Sequence, residues 1–208
     1  MSNTNYFEQR LPIIKDLGFR EEALPQLKSY IDLLWKSNEE LNLISRKMTF
    51  EELIDNHIID CLLPLKFFPE NIKYAGDLGA GGGLPGVIYA IQFPHIKYIL
   101  FEKSPLKQNF LNQCKTIAPN INVAGEVTHD LDKVELVTAR GFKPVDVILD
   151  MTRFYYGKKG QYFLLKARKE KIEEELSDAK KKFKDISAQI TPLQSPVLDV
   201  ERHLVLIH

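Results

Sequence analysis

Asp77-Leu-Gly-Ala-Gly-Gly-Gly-Leu-Pro-Gly86 decides how this chain folds. It follows the short apolar run Tyr74-Ala-Gly-Asp-Leu78, which reads as a strand, and it opens a segment that reads as a helix. At a strand-to-helix turn, glycine lets the main chain take a positive φ and lets a ligand lie directly on the backbone. The helix that follows begins with amide donors that have no partner within the helix. A cluster of this density predicts a turn built to receive something.

Downstream of the turn, KYILFE (97–102), NINVAG (120–125), VELVTA (134–139) and QYFLLK (161–166) are further strand-like runs, mostly separated by helix-length segments. Alternation of this kind predicts an α/β fold with a parallel sheet and crossover helices. The charged stretch from Lys166 to Lys184 reads as one more helix, and the runs DISAQI (185–190) and HLVLI (203–207) pair as an antiparallel edge. Upstream, Leu24, Leu27, Ile31, Leu34 and Trp35 recur at helical spacing. Thr49 and Glu52 form a capping box ahead of a second helix, whose apolar stripe is Leu53, Ile54, Ile58, Cys61 and Leu62. The expected organisation is a helical N-terminal extension over residues 1–70 and an α/β domain over 71–208, packed as one compact unit.

An apolar fraction of 44% and a charged fraction of 27% describe an ordinary globular chain and exclude a disordered one. No run reaches the roughly 18 to 20 apolar residues of a membrane span. The opening MSNTNYFEQR has no apolar signal core, so the expected location is cytoplasmic. Cys61 and Cys114 fall in separate predicted helices without metal-ligand spacing, so neither a disulfide nor a metal is expected. With no heptad or large apolar face, a monomer is the default.

Formal net charge is zero, but its distribution is uneven. Arg153 to Lys184 carries eleven Lys/Arg against five Asp/Glu, whereas Met1 to Asp60 carries seven against eleven. A solvated helix face and a surface for RNA both fit such a basic stretch.

Two ligand classes suit the glycine turn. Gly81, Gly83 and Gly86 match the dinucleotide fingerprint G-x-G-x-x-G, a weak signal by itself. Gly79, Gly81 and Gly83, following Asp77, match the Asp-x-Gly-x-Gly-x-Gly pattern of S-adenosylmethionine methyltransferases. The register favours the second, because the dinucleotide register begins two residues late and puts Pro85 in its tight helix start. Glu102 ends the next strand, 25 positions after Asp77, where an acid can accept both ribose hydroxyls of either ligand.

Several motifs add a specific likeness. GAGGGLPG, preceded by NLIS (42–45) and HIIDC (57–61) and followed by TARGF (138–142), FLLKA (163–167) and ERHLV (201–205), resembles the glucose-inhibited division protein B family. These are bacterial small-subunit ribosomal RNA guanine-N7 methyltransferases, also called methyltransferase G. The resemblance implies a Rossmann-like methyltransferase sheet, S-adenosylmethionine as cofactor, and 16S ribosomal RNA of the small subunit as partner. It places Asp77, Gly79, Gly81, Gly83 and Leu84 along the cofactor's methionine and ribose, Glu102 on the ribose hydroxyls, and Gly125 and Glu126 at the adenine. It sets Arg140 at the methyl-transfer site, touching cofactor and target, and Lys166, Arg168 and Arg202 on RNA. Departures from the family pattern are Glu102-Lys103-Ser104 after the second strand, Gly141 in Ala139-Arg140-Gly141-Phe142, and Ala167 in place of a glycine.

The chemistry agrees with what the sequence omits. Guanine N7 carries an in-plane lone pair and needs no deprotonation. No Asn/Asp-Pro-Pro-aromatic motif for exocyclic amines follows the fourth strand, and no cysteine pair suits attack on a pyrimidine carbon. Arg140 would orient the base through guanine O6 or a phosphate, the alternative being an ordinary ion pair. Lys158, Lys159, Lys166, Arg168 and Lys169 are expected near the open end of the sheet. His57 and Asp60, at i and i+3, read as readily as capping or core hydrogen-bonding residues as they do as contacts to RNA. Trp35 and Phe67-Phe68 read as packing, and Lys180 to Lys182 as a solvated helix face. A methyltransferase acting on another RNA or a small molecule, a nicotinamide oxidoreductase, and a non-catalytic ribosome-assembly factor stay open as rivals.

Overall fold

The computed structural model describes residues 3–127 and 129–208. Helices α1 (Asn3–Asp16) and α2 (Leu24–Leu41) lead into a helical run made of α3 (Phe50–Leu53), a π-helical turn (Ile54–Ile59) and α4 (Asp60–Leu62). Then come β1 (Tyr74–Leu78), α5 (Gly86–Gln92), β2 (Lys97–Phe101), α6 (Pro105–Gln113), β3 (Ile121–Ala124) and β4 (Leu136–Arg140). The chain ends with α7 (Val145–Met151), α8 (Arg153–Gly157), β5 (Gln161–Lys166), α9 (Lys169–Lys182), β6 (Ala188–Leu193) and β7 (Arg202–Ile207).

Among the described residues, seven strands form one sheet in the order β3-β2-β1-β4-β5-β7-β6. Strands β1 to β5 are parallel, with Leu78 opposite Phe101 and Arg140 opposite Leu165. β7 is antiparallel to both neighbours, with Leu165 opposite Leu204. The order reverses between β1 and β4. In open α/β sheets that reversal opens a crevice at the carboxyl ends of the strands, where ligands bind.

The five parallel strands fall where their apolar runs predict. The capping box is present in full: Thr49 Oγ1 accepts the Glu52 amide at 3.2 Å, and Glu52 Oε2 accepts the Thr49 amide at 2.8 Å. Five features differ. Periodicity singled out no helix over α1, which contains Pro12 and is tied down from outside: Arg10 Nε and Nη2 donate to Asp55 at 2.8 and 2.9 Å. The second predicted helix is interrupted by the π turn, which side-chain spacing alone does not report. β6 starts at Ala188, later than predicted, and α9 starts at Lys169 because Lys166 belongs to β5. The phenylalanine pair splits: Phe68 is buried and stacked on Phe93, whereas Phe67 is 38% exposed.

The N-terminal helices share a core with the sheet. Leu27, Tyr30, Ile31 and Leu34 of α2 are fully buried in the same cluster as Val87 and Ile88 of α5 and Leu100 of β2. Burial of this kind is worth about 1.5 to 3 kcal/mol per large aliphatic side chain. Tyr30 also donates its hydroxyl to the Gly82 carbonyl at 2.6 Å, so α2 braces the glycine turn directly.

Candidate active site

The carboxyl ends of β1 and β2 hold the glycine turn. The Gly79 and Ala80 amides both donate to the Phe101 carbonyl, at 2.9 and 3.0 Å, which curls the chain back over β2. Gly79, Gly81 and Gly83 have φ of +66, +55 and +87°, where a side chain is strained. Beneath the turn lies Asp77, 1% exposed. Its Oδ2 accepts the Gly86 amide at 3.1 Å and its Oδ1 accepts the Thr138 hydroxyl at 2.8 Å. Burial pushes its carboxyl up to about 7, against the pull of those two hydrogen bonds. Asp77 therefore staples β1, α5 and β4 together and shapes the turn from below.

Glu102 stands beside the turn, where its Oε2 accepts the Gly81 amide at 3.0 Å and its Oε1 the Ser104 amide at 2.8 Å. A carboxylate has about four acceptor positions, so two are taken by main chain and the others are left for a ligand. Leu84 is buried, and Gly125 and Glu126 lie exposed just past β3.

The glycines divide by what faces them. A side chain at Gly83 would strike Val87, one at Gly86 would strike Leu100 and Asp77, and one at Gly82 would crowd Leu34. Those three glycines admit close packing. At Gly81 the space is open, with only the Gly79 carbonyl within 4 Å of the missing Cβ. Open main chain next to an acid with spare acceptors fits a nucleoside-bearing ligand. At Gly79 the space is filled by the ring of Phe142, which packs on the backbone there.

Phe142 also lines a second feature, a cavity of about 560 Å³ at the ends of β4 and β5. Six cationic side chains line it (Arg140, Lys143, Lys166, Arg168, Lys171 and Arg202), against two carboxylates, Asp60 and Glu175. Asp60 holds two of those cations. Its Oδ2 accepts Arg140 Nε at 2.8 Å and its Oδ1 accepts Arg202 Nε at 2.5 Å, while Arg140 Nη2 donates to the Asn56 carbonyl at 2.9 Å. The side chains of Asp60, Arg140 and Arg202 are 8, 17 and 23% exposed. Lys166 is likewise engaged, with Glu175 at 2.7 Å and the Lys143 carbonyl at 2.8 Å. Arg168 is exposed at the start of α9.

Of the residues expected at the site, Asp77, Gly79, Gly81, Glu102, Gly125 and Glu126 gather at the ends of β1, β2 and β3. Arg140, Lys166, Arg168 and Arg202 gather around the cavity. Lys158 and Lys159 do not join them. They precede β5, at the opposite end of the sheet from Lys166, and Lys158 pairs with Asp132 at 2.8 Å. Placing them at the open end was wrong because a six-residue strand carries its two ends to opposite edges of a parallel sheet.

Sequence reasoning missed Phe142 and left the roles of His57 and Asp60 open. Asp60 is the clasp for two arginines that lie 80 and 142 residues away in the chain. Phe142 joins the turn to the cavity. His57 lines the cavity with neither ring nitrogen hydrogen-bonded. The HIIDC motif and the i, i+3 spacing were the signals for His57 and Asp60. Nothing local announces where the partners of Asp60 lie. Among the described residues, no group of three or more His, Cys, Asp or Glu is placed to hold a metal, and no helix is long and apolar enough to cross a membrane.

Comparison with known proteins agrees with this geometry. In fold, the chain is similar to the N-terminal domain of human METTL16 in complex with SAH, at a TM-score of 0.55 and 10% identity, covering 99% of this chain and 94% of that one. It is also similar to Aeropyrum pernix fibrillarin with natively bound S-adenosyl-L-methionine, at a TM-score of 0.53 and 13% identity over 73% of each chain. In sequence, it is 67% identical over 204 residues to ribosomal RNA small subunit methyltransferase G 1 of Bdellovibrio bacteriovorus, covering 98% of this chain and all of that protein. The GidB family profile, described as rRNA small subunit methyltransferase G, matches residues 23–205. A likeness spanning the glycine turn, the cavity and both arginines of the Asp60 clasp admits one conclusion: the chain belongs to the rRNA small subunit methyltransferase G family.

Proposed function

We propose that this protein transfers a methyl group from S-adenosylmethionine to N7 of a guanine in 16S ribosomal RNA, acting on the small ribosomal subunit as a metal-free cytoplasmic monomer. The observation that carries the reading is Phe142. Its ring lies on the Gly79 backbone and its residue lines the cationic cavity, so a nucleoside-binding turn and an anion-attracting cavity meet at one side chain.

Glu102 would hold the ribose of the cofactor, Gly81 and Gly79 its backbone-facing side, Leu84 the ribose face, and Gly125 with Glu126 the adenine. When bound, its sulfonium supplies an electrophilic methyl. The protein's task is then alignment, since guanine N7 attacks through a lone pair it already has. Arg140 is suited to that task because Asp60 and the Asn56 carbonyl fix two edges of its guanidinium. A side chain whose rotamer is already set loses little entropy on meeting the base. No general base is needed, and Asp77, occupied by Gly86 and Thr138, is not placed to be one. Arg168, Arg202 and Lys166 would meet phosphates, the contacts that dominate nucleic-acid affinity.

Incubation of small subunits with tritiated cofactor, followed by mapping of the labelled base, tests the assignment. Label on a guanine at N7 supports it, and absence of label or label on another atom overturns it. Replacing Arg140 by Ala should lower turnover by about 100-fold while leaving S-adenosylhomocysteine affinity within a few-fold, as loss of a group that acts on the target requires. Near-normal turnover would remove Arg140 from the site.

A further inference from the structure

We propose that His57 reads the target purine: its imidazole, left without an internal hydrogen-bond partner, accepts the N1–H of the incoming guanine inside the cationic cavity. The proposal rests on the reading of this chain as a guanine methyltransferase.

His57 is singular among its neighbours. Asp55 is bonded to Arg10 and Tyr6, Asp60 to Arg140 and Arg202, and Arg140 to Asp60 and Asn56. Both ring nitrogens of His57 are shielded from solvent and bonded to nothing among the described residues. Polar atoms in that state cost free energy, and folded proteins nearly always provide them with partners. Here the cost falls on a residue that lines the cationic cavity, and on a π turn, a rare geometry associated with functional sites. A half-turn about Cβ–Cγ exchanges each nitrogen for a ring carbon of nearly the same size. Meeting the base would take that half-turn, which leaves the helix where it is.

Charge explains why a histidine serves here. Burial, and secondarily Arg140, lower its pKa to about 4 while Asp60 pulls the other way, so the ring is neutral near pH 7. A neutral imidazole has one donor and one acceptor nitrogen. Methylation at N7 makes the base cationic and its N1–H a stronger donor. An acceptor at N1 therefore binds the transition state better than the ground state, which raises turnover. A third cation beside Arg140 and Arg202 would oppose it. Adenine has no hydrogen at N1, so the same nitrogen also discriminates between purines.

His57→Leu removes the hydrogen bond at similar volume. Its kcat/KM on small subunits is expected to fall by about 100-fold, mostly in kcat. Because two unpaired polar atoms disappear, its Tm should hold or rise. His57→Asn, which keeps an acceptor, should recover about ten-fold of that loss. A histidine that only packs would give the reverse: a lower Tm and unchanged kcat/KM per folded molecule. As a readout that needs no turnover, the His57 ring resonances of the full chain should shift on titration with 7-methylguanosine 5′-monophosphate and not with adenosine 5′-monophosphate. Activity of the His57→Leu variant within about three-fold of the parent, or ring resonances indifferent to the guanine nucleotide, overturns the proposal. Failure of the unsubstituted protein to label small subunits would instead overturn the activity, with the titration still deciding His57.

Discussion

The two halves of the open end are built by different means. Around Gly79 to Gly86 the work is done by main chain: amides turned onto Phe101, Asp77 and Glu102, and glycines that leave room for backbone and ligand. Around the cavity it is done by long side chains whose charges are shared, two arginines on one aspartate and a lysine on a glutamate. The first half depends on local φ and close approach. The second depends on residues brought together only by the finished fold. A perturbation of the first should therefore show in stability and, where it touches the open main chain, in cofactor affinity, and one of the second in stability and turnover together.

The sharpest break is Asp60→Ala. It strands two guanidinium groups in a mostly buried setting, and removing one partner of a buried ion pair costs about 3 to 5 kcal/mol. Urea unfolding should show a loss of about 3 kcal/mol or more, with turnover largely abolished. If the loss is below about 1 kcal/mol, the clasp behaves as a surface pair and the contrast fails.

Asp77→Asn probes the other half through pH. Because the folded pKa of about 7 lies above the unfolded value, the folded state binds the extra proton. The stability of the parent protein should then fall as pH rises from about 4 to 7, the window between the two values. Asparagine can keep both partners, since its carbonyl accepts the Gly86 amide and its amide donates to Thr138, whose hydroxyl also reaches the Gly76 carbonyl. The variant should lose that slope and gain up to about 4 kcal/mol relative to the parent between pH 4 and pH 8. Parallel profiles would mean that Asp77 is charged in the fold.

These contrasts explain which features were legible in the sequence. YAGDL, KYILFE and QYFLLK announce strands because apolar runs need no distant partner to be recognised, and Thr49 with Glu52 announces a helix start from four residues. Glu102 was legible because strand ends in a doubly wound sheet are neighbours by topology. The Asp60 clasp was not. Its partners are separated by β-strand crossovers that sequence order does not measure, and Arg140 read alone is as good a surface residue as a site residue. Phe142 was hidden for the same reason, since only the fold lays its ring on Gly79. The error over Lys158 and Lys159 was one of direction, neighbours in sequence being taken as neighbours at one end of a strand.

Gly79→Ala tests where the halves touch. A Cβ there runs into Phe142, and φ of +66° adds strain of about 1 to 2 kcal/mol for an L side chain. The ring must swing away, so stability should drop by about 1 kcal/mol and S-adenosylhomocysteine affinity by about ten-fold. If affinity alone falls and turnover at saturating cofactor is normal, the two halves are independent. If turnover falls too, Phe142 couples them.

The smallest effect separates an exposed cation from a clasped one. Arg168 is exposed at the start of α9 and lines the cavity, whereas Arg202 is held by Asp60. Arg168→Ala should leave stability within about 0.5 kcal/mol, as exposed substitutions do. If it neutralises one phosphate, the slope of log affinity against log salt should flatten by about 0.7 to 0.9. Arg202→Ala should flatten the slope by the same amount only if Arg202 leaves Asp60 to meet RNA, and it should also cost stability. A change in stability with no change in slope would assign Arg202 to the scaffold and leave phosphate binding to Arg168. The charge that looks strongest on paper would then be the one already spent inside the protein.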